Sequence, residues 1–498
     1  MNVNPITRLD YPDPDVIRVE DTYYMVSTTM HFMPGCEILQ SFDLVHWEHV
    51  TYVYETLDHT DAQQLKSGHN IYGQGMWAAS LRYHEGRFYI CFVANDTSKT
   101  YLYTSEKIDG PWKKQLIEGF YHDGSLLFDE DGRNYIVYGN DEIWITELNE
   151  DLTAPKKDGL HRLLVSDHKN PELGYEGSHI QKINGYYYIF LVHSLRDRWM
   201  RTEACFYSDS LEGEFTGGDV LCDDRGYCGQ GVAQGGIVDT PDGKWYAMLF
   251  QDSGAVGRIP ILLPVTWKDH FPFFGQNGHV PEEIEVHSTR PGYIYQPLVG
   301  SDDFCNGLLP RWQFNHDPDP RYYHLDALQG TYTITTREVC TELTQAVNTL
   351  TQRMSYPSCA AEVTVDASAL KEGDVAGLCA LQGCYAAVGI TKHHGKYEVL
   401  MLDKKEDGIL DMTEGTVVES HQMDFRLEAD FCNMKDEARC YYRVNKGDWL
   451  PIGTVHKLYF KLDHFTGCRF GLFCYAAEET GGSACFRDFK YYDVDEIS

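Results

Sequence analysis

One pattern limits what this chain can become. Five times in its first 270 residues, a β-rich run meets a tight turn and doubles back into a second run dense in Tyr and β-branched residues. It reads VIRVEDTYYMVST from Val16, SLRYHEGRFYICFV from Ser80, SLLFDEDGRNYIVYG from Ser125, SHIQKINGYYYIFLV from Ser178 and GIVDTPDGKWYAMLF from Gly236. Four of the turns carry EG, DG, NG and DG, dipeptides that accept the left-handed backbone of a tight hairpin; the first has Asp21-Thr22 in that place. A further run follows, ending in SFDLVHW, SEKIDGPW, ELNEDL and SDSLEGEF in the first four units, so each unit has at least three antiparallel strands. The turn positions 22, 86, 132, 185 and 243 are spaced by 64, 46, 53 and 58 residues. Multi-stranded units at such a period are propeller blades. Five of them predict a five-bladed β-propeller around a channel, with a large β-sandwich as the alternative.

Nine residues before each turn position stand Asp13, Trp77, Asp123, Glu176 and Gln234. All five are expected just before the first strand of their unit, and in a propeller the innermost strands line the channel. The five are therefore expected to form one ring around a central cavity. Singly, each has a plainer reading: Asp13 sits in YPDPDV between two prolines, and Asp123 and Glu176 each precede Gly, as turn residues do. Their common register is what argues for a ring.

Three carboxylates around one cavity repel one another, and burial adds to the repulsion, so at least one holds its proton at neutral pH. A proton donor and an ionised base can then coexist. No serine or cysteine nucleophile motif, phosphate-binding loop or dinucleotide fingerprint is present. Paired carboxylates with an aromatic wall suit glycosidic hydrolysis; a Ca²⁺ site is the competing use of the same residues. The formal net charge of −33 repels nucleic acid and anionic membranes and suits a neutral partner. Fifteen scattered cysteines form no metal-binding spacing, and the N-terminal MNVNPITRLDYPDPD has no basic segment followed by an apolar one. Both features set the expectation of a reduced, cytoplasmic protein.

The segments NPITRLDYPDPDVIRVEDTYYMVSTTMHFMPG, MWAASLRYHEGRFY, YHDGSLLFDEDG, YEGSHIQK and GRIPILLPVTW resemble glycoside hydrolase family 43, in its β-xylosidase and α-L-arabinofuranosidase branch, from about Asn4 to Arg290. The resemblance implies a five-bladed propeller that inverts anomeric configuration. It implies Asp13 as the general base that activates water, Glu176 as the general acid, and Asp123 as the group that tunes and orients that acid. It also implies that Arg258 reaches the centre and that the loop TTMHFMPG forms the aromatic wall of the sugar subsite, from which His31 and Phe32 are taken. Trp77 is read as a stacking platform. Many relatives carry His at the fifth ring position, where it helps to hold a calcium ion; Gln234 stands there in this chain, which leaves a structural Ca²⁺ open and no cofactor required.

From about residue 300 the pattern changes to alternating short runs, TYTITT, CAAEVTVDA, YAAVGITKH and KYEVLMLD, which predict half-buried strands of an antiparallel sandwich. SDDFCNGLLPRWQFNHDPDP and FRDFKYY resemble the concanavalin-like sandwich that follows the propeller in many β-xylosidases of the family. The expected division is 1–297 and 298–498, with a part for the sandwich in closing the pocket left open. The resulting expectation is an exo-acting β-1,4-xylosidase of small oligosaccharides, with α-L-arabinofuranosidase or a bifunctional enzyme next. A non-catalytic sugar-binding propeller is disfavoured by the unequal ring residues. A homo-oligomer is left open.

Overall fold

Each hairpin seen in the sequence is the inner half of a four-stranded antiparallel sheet in the computed structural model, which describes residues 2–461 and 464–493. Blade one is Asp15–Val19, Thr22–Val26, Gly35–Ser41 and Glu48–Tyr54; blade two is Met76–His84, Arg87–Ala94, Lys99–Ser105 and Lys113–Ile117. Blade three is Ser125–Phe128, Asn134–Asn140, Glu142–Leu148 and His161–Ser166; blade four is Glu176–Ile183, Tyr186–Ser194, Arg201–Ser208 and Thr216–Leu221. Blade five is Ala233–Asp239, Trp245–Asp252, Arg258–Lys268 and Phe271–Phe274. The first strands of neighbouring blades touch in sequence, and blade five closes on blade one. This is the expected five-bladed propeller.

The turns differ in detail. Blades two and four use the two-residue loops Glu85-Gly86 and Asn184-Gly185, both residues at positive φ as such hairpins require. Blade one turns at Glu20-Asp21, one residue earlier than the sequence suggested. Blades three and five use five-residue loops, 129–133 and 240–244.

Polar side chains tie the blades across the ring. Arg82, on the first strand of blade two, donates through Nε to Leu126 O (2.8 Å), through Nη1 to Asp15 Oδ2 (2.8 Å) and Leu81 O (2.6 Å), and through Nη2 to Ser125 Oγ (2.7 Å) and Ile180 O (3.3 Å). All five guanidinium N–H groups are used, on blades one to four. Asp15 also meets His179 Nδ1 of blade four at 3.1 Å, and Gln181 Nε2 of blade four donates to Ile237 O of blade five at 2.7 Å.

The second region is a sandwich of two antiparallel sheets around a large apolar core that includes Tyr332, Phe425, Phe470, Leu472 and Phe486. The runs read from the sequence are strands Thr331–Thr335, Ser358–Asp366, Tyr385–His393 and Lys396–Lys404. One strand of this sandwich comes from the propeller: Phe32–Met33, in the loop after the first hairpin of blade one, pairs with Gln313–Asn315 at the sheet edge. The two regions are also joined by buried charge, with Arg353 Nη1 2.8 Å from Glu37 Oε2 and Arg353 Nε donating to Asp10 O. Among the described residues no helix is long and apolar enough to cross a membrane, and all fifteen cysteines are free thiols.

Candidate active site

Asp13 and Asp123 precede their first strands with φ of +51° and +48°, as expected, whereas Trp77, Glu176 and Gln234 lie within theirs, Gln234 as the second residue with φ of +66°. Side chains rarely adopt this left-handed backbone, and such strain persists where the surroundings enforce it. The first strands of blades two, four and five each slip register at their start, next to Trp77, Glu176 and Gln234. These bulges turn the ring residues inward. Asp13, Trp77, Asp123, Glu176 and Gln234 line one cavity of about 200 Å³, together with His122, Leu173, Trp199, Arg201, Arg258 and Phe465.

Asp13 is 3% exposed and held from two sides: Arg258 Nη1 lies 2.7 Å from its Oδ1, and Thr28 Oγ1 donates to its Oδ2 at 2.5 Å. Arg258 is fixed in turn by Asp252, 3.2 Å from its Nε, and lies over the rings of Phe465 and Phe250, 3.8 and 4.6 Å from their centroids. Asp252 also pairs with Arg201. Burial, then repulsion from Arg258, pushes the Arg201 guanidinium down to about 9.

Glu176 opens the first strand of blade four, and its Oε2 accepts from Asn140 Nδ2 at 3.0 Å. Asp123 accepts from Gly177 N at 3.0 Å. Between them stands His122, its Nε2 3.5 Å from Glu176 Oε2 and 3.6 Å from Asp123 Oδ2. One ligand-type atom from each of His122, Asp123 and Glu176 falls within a 4.8 Å group, and Asp13 lies outside it. Asp123 and then Glu176 raise the His122 imidazole to about 9, so it is an imidazolium at neutral pH. Burial raises Asp123 to about 6, whereas His122 draws Glu176 below the usual glutamate range despite its burial. The sequence suggested that a neighbouring carboxylate would keep Glu176 protonated; the adjacent imidazolium reverses that order.

His31 and Phe32 do not form the cavity wall. His31 is 1% exposed and packs against His316, His464 and Tyr72 at the propeller–sandwich junction, and Phe32 lies under the Arg469 guanidinium at 3.5 Å. Pairing of Phe32–Met33 with the sandwich takes both away from the centre. The wall comes instead from Trp77, Trp199, Leu173 and Phe465, the last contributed by the sandwich. The loop bearing Phe465 is docked closely: Asp10 accepts from Arg258 N and Gly467 N, both at 2.7 Å, and a Cβ at Gly467 would lie 2.0 Å from Val256 O. The axis below the cavity is matched to a guanidinium rather than to a hard divalent ion, since the oxygens that converge there are bonded to Arg82. In the cavity itself, the carboxylates already face His122, Arg201 and Arg258.

Residues 3–272 match the profile of glycosyl hydrolases family 43, and residues 301–492 match that of the β-xylosidase C-terminal concanavalin A-like domain. The chain belongs to glycosyl hydrolase family 43. A "Bifunctional GH43-CE" structure from Bacteroides eggerthii is 42% identical with a TM-score of 0.92; it covers all of this chain, which spans 64% of that protein's length. A family 43 enzyme engineered to display endo-xylanase and exo-arabinofuranosidase activity is 27% identical over 99% of both chains, with a TM-score of 0.88. A β-xylosidase of Formosa agariphila is 27% identical over 99% of this chain and 89% of its own length. A non-reducing end α-L-arabinofuranosidase of Bacteroides ovatus is 26% identical over 66% of this chain and 63% of its own. As a family 43 member the chain is a glycoside hydrolase, and the non-catalytic alternative is set aside.

Proposed function

We propose that the chain is an inverting exo-β-1,4-xylosidase that removes xylose from the non-reducing ends of short xylo-oligosaccharides. The observation that carries this reading is a small cavity, about 200 Å³, lined by carboxylates and aromatic rings. Carboxylates ring it, Arg82 fills the channel beneath, and Phe465 closes over one side. A cavity of this size suits one sugar ring at a chain terminus better than the middle of a polymer. Aromatic faces at Trp77 and Trp199 suit the apolar face of a pentose, and Arg201 and Arg258 can bind its hydroxyls.

Asp13, anchored by Arg258 and Thr28, accepts a proton from the attacking water. Glu176, on the blade-four side, protonates the leaving oxygen, and Asp123 orients the acid through Gly177. Inversion needs a water between base and sugar, for which acid and base carboxyls sit roughly 6.5–9.5 Å apart. The exclusion of Asp13 from the His122–Asp123–Glu176 group supports such a gap. The second reading, α-L-arabinofuranosidase, is favoured by the relatives of that description and by the similar shape of the two sugars.

The test is hydrolysis of aryl β-xyloside, aryl α-arabinofuranoside and xylobiose, with release of α-xylose followed by NMR. Xylobiose cleavage that exceeds arabinofuranoside cleavage is expected, and the reverse would move the assignment to the second reading. Glu176→Gln should cut kcat on xylobiose roughly 10²–10⁴-fold while sugar still binds. A chelator should leave activity unchanged, because Arg82 supplies the positive charge on the axis.

A further inference from the structure

We propose that His122 holds the proton that the departing sugar oxygen receives and delivers it through Glu176. This rests on the glycosidase reading above and adds the origin of the proton. His122 draws the Glu176 carboxyl below the usual glutamate range, yet a general acid must carry a proton when the bond breaks. His122 Nε2 faces the carboxylates of Glu176 and Asp123 almost equally, at 3.5 and 3.6 Å. These contacts are close enough to pair charges but long for hydrogen bonds. The atom is buried and has no hydrogen-bond partner, so its proton has no other destination than these two groups.

The charges around the imidazole come from four blades. Asp123 is on its own segment, Glu176 and Arg201 are on blade four, Asp13 comes from blade one, and Arg258 comes from blade five. The ring edge meets Trp77, with centroids 6.2 Å apart, so the imidazole belongs to the cavity wall. A sugar entering that cavity covers the partly exposed side chain of Glu176. In drier surroundings a neutral imidazole beside a carboxylic acid is favoured over two charges.

The step then balances. The His122 Nε2–H bond breaks and its proton passes to Glu176 Oε2. The C1–O glycosidic bond breaks with its electron pair on the leaving oxygen, which takes the proton from Glu176. Water forms the new bond to C1 and gives a proton to Asp13. One water is consumed, and the proton on Asp13 returns through solvent to His122 as the products leave. His122 does not touch the leaving oxygen; it is a positioning residue that acts through Glu176.

The experiment compares xylobiose, whose poor leaving group needs a proton, with 4-nitrophenyl β-xyloside, whose leaving group does not. His122→Gln and His122→Asn should lower kcat on xylobiose roughly 10²-fold with KM little changed. The loss on the aryl glycoside should be at least about tenfold smaller, and the alkaline limb of the xylobiose pH profile should move to lower pH. Equal losses on both substrates, or an unmoved alkaline limb, overturn the proposal. A second measurement needs no variant of His122: NMR of ¹³C-histidine in the full chain should find His122 charged at pH 7.5, and Glu176→Gln should weaken its hold on the proton. A neutral His122 at pH 7.5 overturns the proposal. If the wild-type chain cleaves neither pentoside, the substrate reading fails, while the NMR result still decides the charge on His122.

Discussion

Phe465 bears on the pocket more directly than its distance in sequence suggests. It stacks on Arg258, which holds Asp13, and its ring lies 5.3 Å from that of Trp77. Phe465→Ala should therefore open the roof and loosen the arginine together. A fall in kcat/KM on xylobiose of roughly 10–200-fold is expected, the range for loss of one apolar contact to a substrate. Steady-state kinetics on purified variant and wild type measure it, and an unchanged kcat/KM would show that the roof has no part in binding. The ring residues Asp13, Asp123, Glu176, Trp77 and Gln234 were legible because their register to the next turn is local. His122 stood in the same quoted segment, YHDGS, and was passed over; a titratable residue beside a ring aspartate was the available signal. Phe465, Trp199 and Arg201 carry no local pattern, because their place depends on loops brought in from other blades and from the sandwich.

At the level of elements, the hairpins follow from turn chemistry and alternation, which act within about a dozen residues, and so the blades could be read directly. The strand Phe32–Met33 could not. Its two residues pair with Gln313–Asn315, and nothing in TTMHFMPG marks a strand of another sheet. The consequence is a buried histidine cluster. Burial holds His31 well below the free value, and burial with His464 nearby brings His316 down to about 3. Arg469 and His464 add to the depression of His31, and Asn315 opposes it. A depressed histidine gives its full stabilisation above the unfolded value near 6.5 and loses it as pH falls below that. His316 alone should account for about 2 kcal/mol between pH 7.5 and 5. Thermal unfolding at those two pH values should thus show a smaller drop for His316→Gln than for wild type; equal drops would contradict the assignment.

Across the whole molecule, the propeller and sandwich share a strand, a buried ion pair and a docked loop, so neither is a free-standing partner of the other. Cutting the chain after 297 would expose the edge of Phe32–Met33 and strip Glu37, only 2% exposed, of Arg353. Loss of one partner from a buried pair costs roughly 3–5 kcal/mol. Residues 1–297 expressed alone are expected to be insoluble or unfolded by circular dichroism, and a soluble, active fragment would refute this. The ring itself has a different kind of fastening. Arg82 is translated as part of the polypeptide, in a fixed ratio of one to each molecule, and it cannot be leached, exchanged or competed away. The centre of the ring is therefore tied by a group that arrives with the chain itself.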